Sequence, residues 1–155
     1  MSTEENKALM RRYNEQIDAA AKDNRGASVL DDFVAHNFVN HNPSPGFTSD
    51  LEGLKQAYDH FLGTNPDGYH VVEDMIAEGD KVVTRLSACG TQTGELFGIP
   101  PTDKQVSMMA IAIHRIANGK IVEHWSELDN LAMMQQLGVV PLPEPPSSEE
   151  TGHPA

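Results

Sequence analysis

The chain has 155 residues, 39% of them apolar and 22% charged, with a formal net charge of −12. That length predicts one domain burying about two thirds of the surface its unfolded chain would expose. The acid surplus argues against nucleic-acid and anionic-membrane partners, which need clustered Lys and Arg.

The lone cysteine, Cys89, rules out an internal disulfide. The polar, acidic N-terminus (MSTEENKALMRR) is not a signal peptide, and no apolar run approaches the ~20 residues of a membrane span. The expectation is a cytoplasmic protein.

Leu9, Tyr13, Ile17 and Ala20 recur at helical spacing and predict a helix over Thr3–Lys22. A second, short helix is predicted over residues 27–35, where Val29, Leu30, Phe33 and Val34 are apolar. The stretch 38–47 (FVNHNPSPGF) is rich in Pro, Asn and Gly and predicts a structured loop. Ser49-Asp50-Leu51-Glu52 has the form of a capping box opening a third helix, which Gly63 and Asn65-Pro66 stop after about Leu62.

The pattern then becomes extended. Strands are predicted over residues 69–78, 81–90, 105–116 and 120–128, with tight turns at Gly79-Asp80 and Asn118-Gly119. Residues 91–104 form a long loop whose path Gly94, Gly98 and Pro100-Pro101 constrain. A final helix over 131–137 closes at Gly138. Helices followed by an antiparallel sheet and a closing helix make an α+β fold. A single domain is expected over residues 1–138, followed by a Pro- and Glu-rich disordered tail over 139–155.

The last strand carries Glu123, Trp125, Glu127 and Asp129 at alternate positions, a pattern that suggests a pocket with acid–base capacity. Two registers are open for the hairpin before it. A two-residue Asn118-Gly119 turn puts His114 opposite Glu123, Ala112 opposite Trp125 and Met108 opposite Asp129. A three-residue loop shifts the pairing by one, gives Ile111 and Ile113 the Trp125 face, and turns His114 away.

Each candidate also has a plain structural role. Asp129 is either a base or the N-cap of the final helix. Glu123 and Glu127 suit a pocket or a solvated strand face, and Trp125 a ligand wall or packed core. His41 sits in the rigid Asn40-His41-Asn42-Pro43 turn and either points into a cavity or ties down its own loop. Arg85 could orient a substrate oxygen or form an ion pair at the sheet edge. His36, His60, His70 and His124 are scattered without metal-ligand spacing, so no metal site is predicted.

The stretches FVNHNPSPGF (38–47), GLKQAY (53–58), VEDMIAEGDKVVTRLSACGTQTGELFGIPPT (72–102) and HRIANGKIVEHWSELDNLAMMQQLG (114–138) resemble the SnoaL-like polyketide cyclase and ester cyclase family of the nuclear transport factor 2-like superfamily. The resemblance implies a cone, in which a curved sheet wraps the N-terminal helices around an apolar cavity. It also implies a homodimer or homotetramer packed through the sheet. Characterised cyclases of this kind use an aspartate for intramolecular aldol ring closure, with no cofactor or metal, and Asp129 matches that aspartate. His41 matches a recurring histidine and Trp125 a recurring cavity tryptophan. Gln92 stands where many relatives have His, and Leu86 where they have an aromatic.

The expected function is therefore cofactor-free cyclisation or isomerisation of a small apolar carbonyl compound. The catalytic candidates are Asp129, His41 and His114; Trp125, Phe47, Arg85, Phe97, Met108 and Glu127 are the substrate-binding ones. The alternatives are a non-catalytic protein that holds a small molecule in the same cavity, and a subunit whose role is assembly.

Overall fold

The structure, a computed structural model, describes residues 1–147. It contains α1 (Thr3–Lys22), a 3-10 segment (Gly26–Asp32), β1 (Val34–Asn40), α2 (Leu51–Thr64), β2 (Tyr69–Glu78), β3 (Lys81–Thr91), β4 (Gln105–Ala117), β5 (Lys120–Leu128) and α3 (Asn130–Gln136). The expected tail falls partly on residues 148–155, which lie outside the described residues. No helix among the described residues is long and apolar enough to cross a membrane.

The five strands form one mixed sheet in the order β1-β5-β4-β3-β2. β1 runs parallel to β5, and the other neighbours are antiparallel. The helices pack on one face of this curved sheet, which gives the expected α+β cone. Leu9, Met10 and Ile17 of α1, Val29 and Leu30 of the 3-10 segment, and Val82, Ile116 and Ile121 of the sheet share the main core. A smaller cluster of Leu96, Met133 and Leu137 seats α3 near the 91–104 loop.

α1 begins with a capping box that was not foreseen: the Ser2 hydroxyl accepts from the Glu5 amide, and the Glu5 carboxylate accepts from the Ser2 amide. At α2 the expected Ser49–Glu52 box does not form. Asp50 is the N-cap instead, accepting from the Gly53 amide at 2.9 Å and from the Thr48 hydroxyl at 2.6 Å. These bonds, the hydroxyl's first, hold the Asp50 carboxyl below its usual range.

The expectation for residues 27–47 needs correction. The predicted helix 27–35 is a 3-10 segment followed by the start of β1, and the predicted loop begins as a strand. The short apolar run fits either period. Pairing with β5 decides it: the Ile121 amide donates to the Phe33 carbonyl at 2.8 Å and the His41 amide to the His124 carbonyl at 2.8 Å.

The hairpin between β4 and β5 combines both predicted registers. Asn118 (φ 51°) and Gly119 (φ 72°) form a two-residue turn, and Ala117 faces Lys120. Ile116 still pairs with Ile121, but Arg115 pairs with Glu123, so Val122 is an extra residue in β5. This bulge advances the register by one, placing His114 opposite His124 and Ile113 opposite Trp125.

A candidate active-site cavity

Because side chains alternate along strands, the bulge decides which β5 residues look inward. His124, Ser126 and Leu128 face the helices, while Glu123, Trp125 and Glu127 share the opposite face with Arg115, Ile113 and Ile111. The inward face, closed by α1 and α2, encloses a cavity of about 330 Å³. Ile17, Leu54, Leu86, Ala110, Leu128 and Met133 contribute to its apolar walls.

Gly53 allows the 43–48 loop to approach α2, since a Cβ there would lie 2.0 Å from the Thr48 carbonyl oxygen. That approach carries Phe47 to the cavity. Asn42 fixes the other end of the same loop by accepting from the Ser126 amide at 2.9 Å and donating to the Ser126 carbonyl.

Polar groups converge on the cavity from several elements. Tyr13, on α1, is half-buried, and desolvation first, then neighbouring Tyr58, pushes its phenol up to about 12. The Tyr58 hydroxyl donates to the Ile17 carbonyl at 2.5 Å; burial, then nearby Asp18, likewise takes its pKa to about 12. His124 lies opposite Asn40, and burial lowers its pKa to about 4, so the ring is neutral at pH 7. Behind it, parallel at 4.6 Å, stacks His114, whose pKa falls well below the ordinary value through burial first and His124 second. His114 Nδ1 is buried with no hydrogen-bond partner. On the far side, Asp18 of α1 accepts from both the backbone amide (2.8 Å) and ring Nδ1 (2.7 Å) of His70.

Of the residues singled out from the sequence, Phe47 and Met108 line the cavity. Asp129 caps α3, accepting from the Ala132 amide at 3.0 Å, and is solvent-exposed between the lining residues Leu128 and Met133. His114 lies behind the cavity wall.

The others lie outside the cavity. Trp125 faces outward, with His41 parallel at 4.5 Å and Lys81 Nζ 5.6 Å from its ring centre. His41 Nε2 lies 3.0 Å from Glu123, which also binds Arg115, and these partners, Arg115 foremost, keep the Glu123 carboxyl low. Arg85 pairs with Asp74 at 2.7 Å, and Glu127 is exposed. Phe97, in a left-handed conformation (φ 46°), packs on His60 and Phe61.

The two departures from relatives also separate here. Leu86 lines the cavity, whereas Gln92 is buried beneath the 91–104 loop and bonds to Gly94, Ile99, Pro100 and Thr102.

Sequence reading missed Tyr13, Asp18, Asn40, His70 and His124 as cavity residues. Part of the signal was there: Tyr13, Ile17 and Ala21 lie along one stripe of α1, with Asp18 at its edge. The sharing of one space by α1, β1, β2 and β5 was not visible. Among the described residues, no group of three or more His, Cys, Asp or Glu side chains has metal-binding geometry.

Comparisons with known proteins agree with this architecture. The chain is 28% identical over 141 residues to aklanonic acid methyl ester cyclase DauD of Streptomyces sp. (strain C5), covering 88% of this chain and 83% of that protein. It is 29% identical over 142 residues to DnrD of Streptomyces peucetius, which carries the same name, covering 88% and 92%. TsrD from Streptomyces laurentii has a similar structure, with a TM-score of 0.77 at 28% identity over 90% of this chain and 99% of that one. Residues 7–137 match the SnoaL-like polyketide cyclase description, and the chain belongs to that family.

Proposed function

We propose that the protein closes a ring in a small polyketide ester by intramolecular aldol addition, using its own acid–base groups and no cofactor. The observation that carries this reading is an apolar cavity of about 330 Å³ presenting neutral hydrogen-bond donors, in a chain of the cyclase family. DauD and DnrD are named for aklanonic acid methyl ester, which is the substrate to try first.

In this reading the Asp129 carboxylate, solvent-exposed but flanked by the lining residues Leu128 and Met133, takes a proton from the carbon beside the ester carbonyl of a substrate that extends from the cavity to reach it. The electron pair moves onto the carbonyl oxygen, and the resulting enolate carbon attacks a ketone carbon of the same molecule. A carbon–carbon bond forms, the ketone π pair becomes an alkoxide, and the alkoxide takes up a proton. Product and substrate are isomers.

The Tyr13 hydroxyl and the N–H of neutral His124 suit the developing enolate oxygen, because neither ionises at the working pH. One well-placed donor of this kind is worth about 3 kcal/mol in the transition state. His114 supports the His124 ring from behind.

Purified protein and aklanonic acid methyl ester, followed by chromatography, test the reading: a new isomer of unchanged mass is expected. Asp129→Asn should abolish turnover. Asn caps a helix about as well as Asp, so this change separates proton transfer from capping, and Tm should stay within a few degrees. Full activity in that variant refutes Asp129 as the base.

We further propose that the protein pairs with a second copy through the outward sheet face. Val71, Ile76, Met109 and Ile111 support this, being 42%, 67%, 49% and 47% exposed. Such an array is normally covered by a partner.

A further inference from the structure

The hydrogen-bonded contact between Asp18 on α1 and His70 on β2 has no part in the reaction described above. Asp18 holds His70 through two hydrogen bonds, one to the ring Nδ1 and one to the backbone amide. Both bonds end on one carboxylate, so the ring cannot rotate without breaking the pair. When Nδ1 donates to Asp18, the neutral ring keeps its lone pair on Nε2. Nε2 has no hydrogen-bond partner among the described residues.

Both side chains line the cavity, at 22% and 33% exposure, and no described Lys or Arg lines it. His124, the other lining histidine, has no carboxylate partner and is kept neutral by burial. Tyr58 and Tyr69, the neighbouring phenols on this side, have raised pKa values: Tyr58 through burial first, Tyr69 through its hydrogen bond with Cys89. His70 is therefore the one described lining histidine whose ring is fixed by a carboxylate and whose second nitrogen is left to accept a hydrogen bond from a ligand.

We infer that His70 Nε2 recognises an acidic hydroxyl, a phenol or an enol, at the α1–β2 end of the ligand, with Asp18 as its positioning residue. The proton passes from the hydroxyl oxygen towards Nε2 while Nδ1 keeps its bond to Asp18. The oxygen becomes phenolate-like and the ring imidazolium-like, so charge is conserved within the pair. An ether at the same position has no proton to give. The site thus selects hydroxylated over alkylated polycyclic ketones and fixes which end enters first. This rests on the polyketide reading for the class of ligand, but not on any turnover.

Two probes differing by one methyl group test it: 2-hydroxyanthraquinone and 2-methoxyanthraquinone, titrated into the full chain by calorimetry and by visible absorbance. Wild type should bind the hydroxy probe roughly tenfold more tightly, the upper scale of one net hydrogen bond between neutral groups. It should also shift the probe's absorption towards the phenolate form. His70→Phe should bring the two affinities within about twofold and abolish the spectral shift. Asp18→Asn, which keeps an acceptor for the His70 amide, should lose most of the shift.

Equal affinities in wild type, binding of neither probe, or undiminished discrimination in His70→Phe would each overturn the inference. If His70→Phe fails to fold, undiminished discrimination in Asp18→Asn overturns it. Discrimination without turnover of aklanonic acid methyl ester would sink the cyclase reading and leave this one standing.

Discussion

His114 and His124 occupy the inner face of the sheet as a neutral stacked pair, and the fold depends on their staying neutral. Their depressed values mean that the unfolded chain binds protons more readily than the native one below the ordinary histidine range. The stability they contribute is present above about pH 6.5 and is lost as pH falls towards the native values. For His124, with a native pKa of about 4, the loss is on the order of 3 kcal/mol at most. Most carboxylates stay ionised down to about pH 5, so the decline between pH 6.5 and 5 belongs mainly to this pair. Melting curves should show Tm falling through that interval. His124→Phe, which keeps the aromatic packing, should flatten the decline, and an unchanged slope would disprove it.

Tyr13 makes a separate prediction at the residue scale. Its raised pKa keeps it a donor, so Tyr13→Phe should lower kcat by roughly the hundredfold of one oxyanion donor, with little change in Tm. A wild-type kcat would remove it from the mechanism.

At the scale of elements, the bulge in β5 and the 91–104 loop matter most. One extra residue at Val122 sends Trp125 to the outside and His124 to the inside. The turn was legible because Asn-Gly favours a two-residue hairpin, and the shared face of Glu123, Trp125 and Glu127 follows from strand alternation. Nothing local marks Val122 as the bulge, so the face that would look inward was open.

The 91–104 loop is held by Gln92 and Thr64, with a Leu96–Ile99 bridge at its tip: the Thr64 carbonyl accepts from the Thr93 and Gly94 amides and the Thr64 hydroxyl donates to the Glu95 carbonyl. The Gln92 side chain donates to three loop carbonyls and accepts from the Thr102 amide and hydroxyl while almost fully buried. Gln92→Leu would leave the Gly94 and Pro100 carbonyls and the Thr102 amide without partners, each costing about 1–3 kcal/mol if still buried, while the Ile99 carbonyl keeps the Leu96 amide. We expect a large drop in Tm and protease cleavage within 93–103. A resistant loop would contradict the assigned role.

Taken whole, the molecule has an inner face that forms a cavity and an outer face that exposes an apolar stripe. Ile76, Val83, Ile113 and Trp125 lie in one row of paired strands across the outer face, flanked by the Arg85–Asp74 and Arg115–Glu123 pairs. If two copies meet there, Ile111→Asp should yield monomers by sedimentation while keeping the monomer's fold, because the side chain is 47% exposed. Monomeric wild type at micromolar concentration would dismiss the interface.

The sequence by itself determined α1, the four antiparallel strands and α3, because helical and strand periodicities are local and their breaks carry Gly, Pro and Asn. It also carried enough family motif to anticipate a cone with a cavity. Only the tertiary structure decided that residues 34–40 form a strand, since a parallel partner must come from the far end of the chain. It alone decided that Trp125 and Glu127 look outward, and that Asp18, His70, Tyr13 and His124 line one cavity. A strand offers two faces of equal local standing, and the packing of α1 and α2 chooses between them.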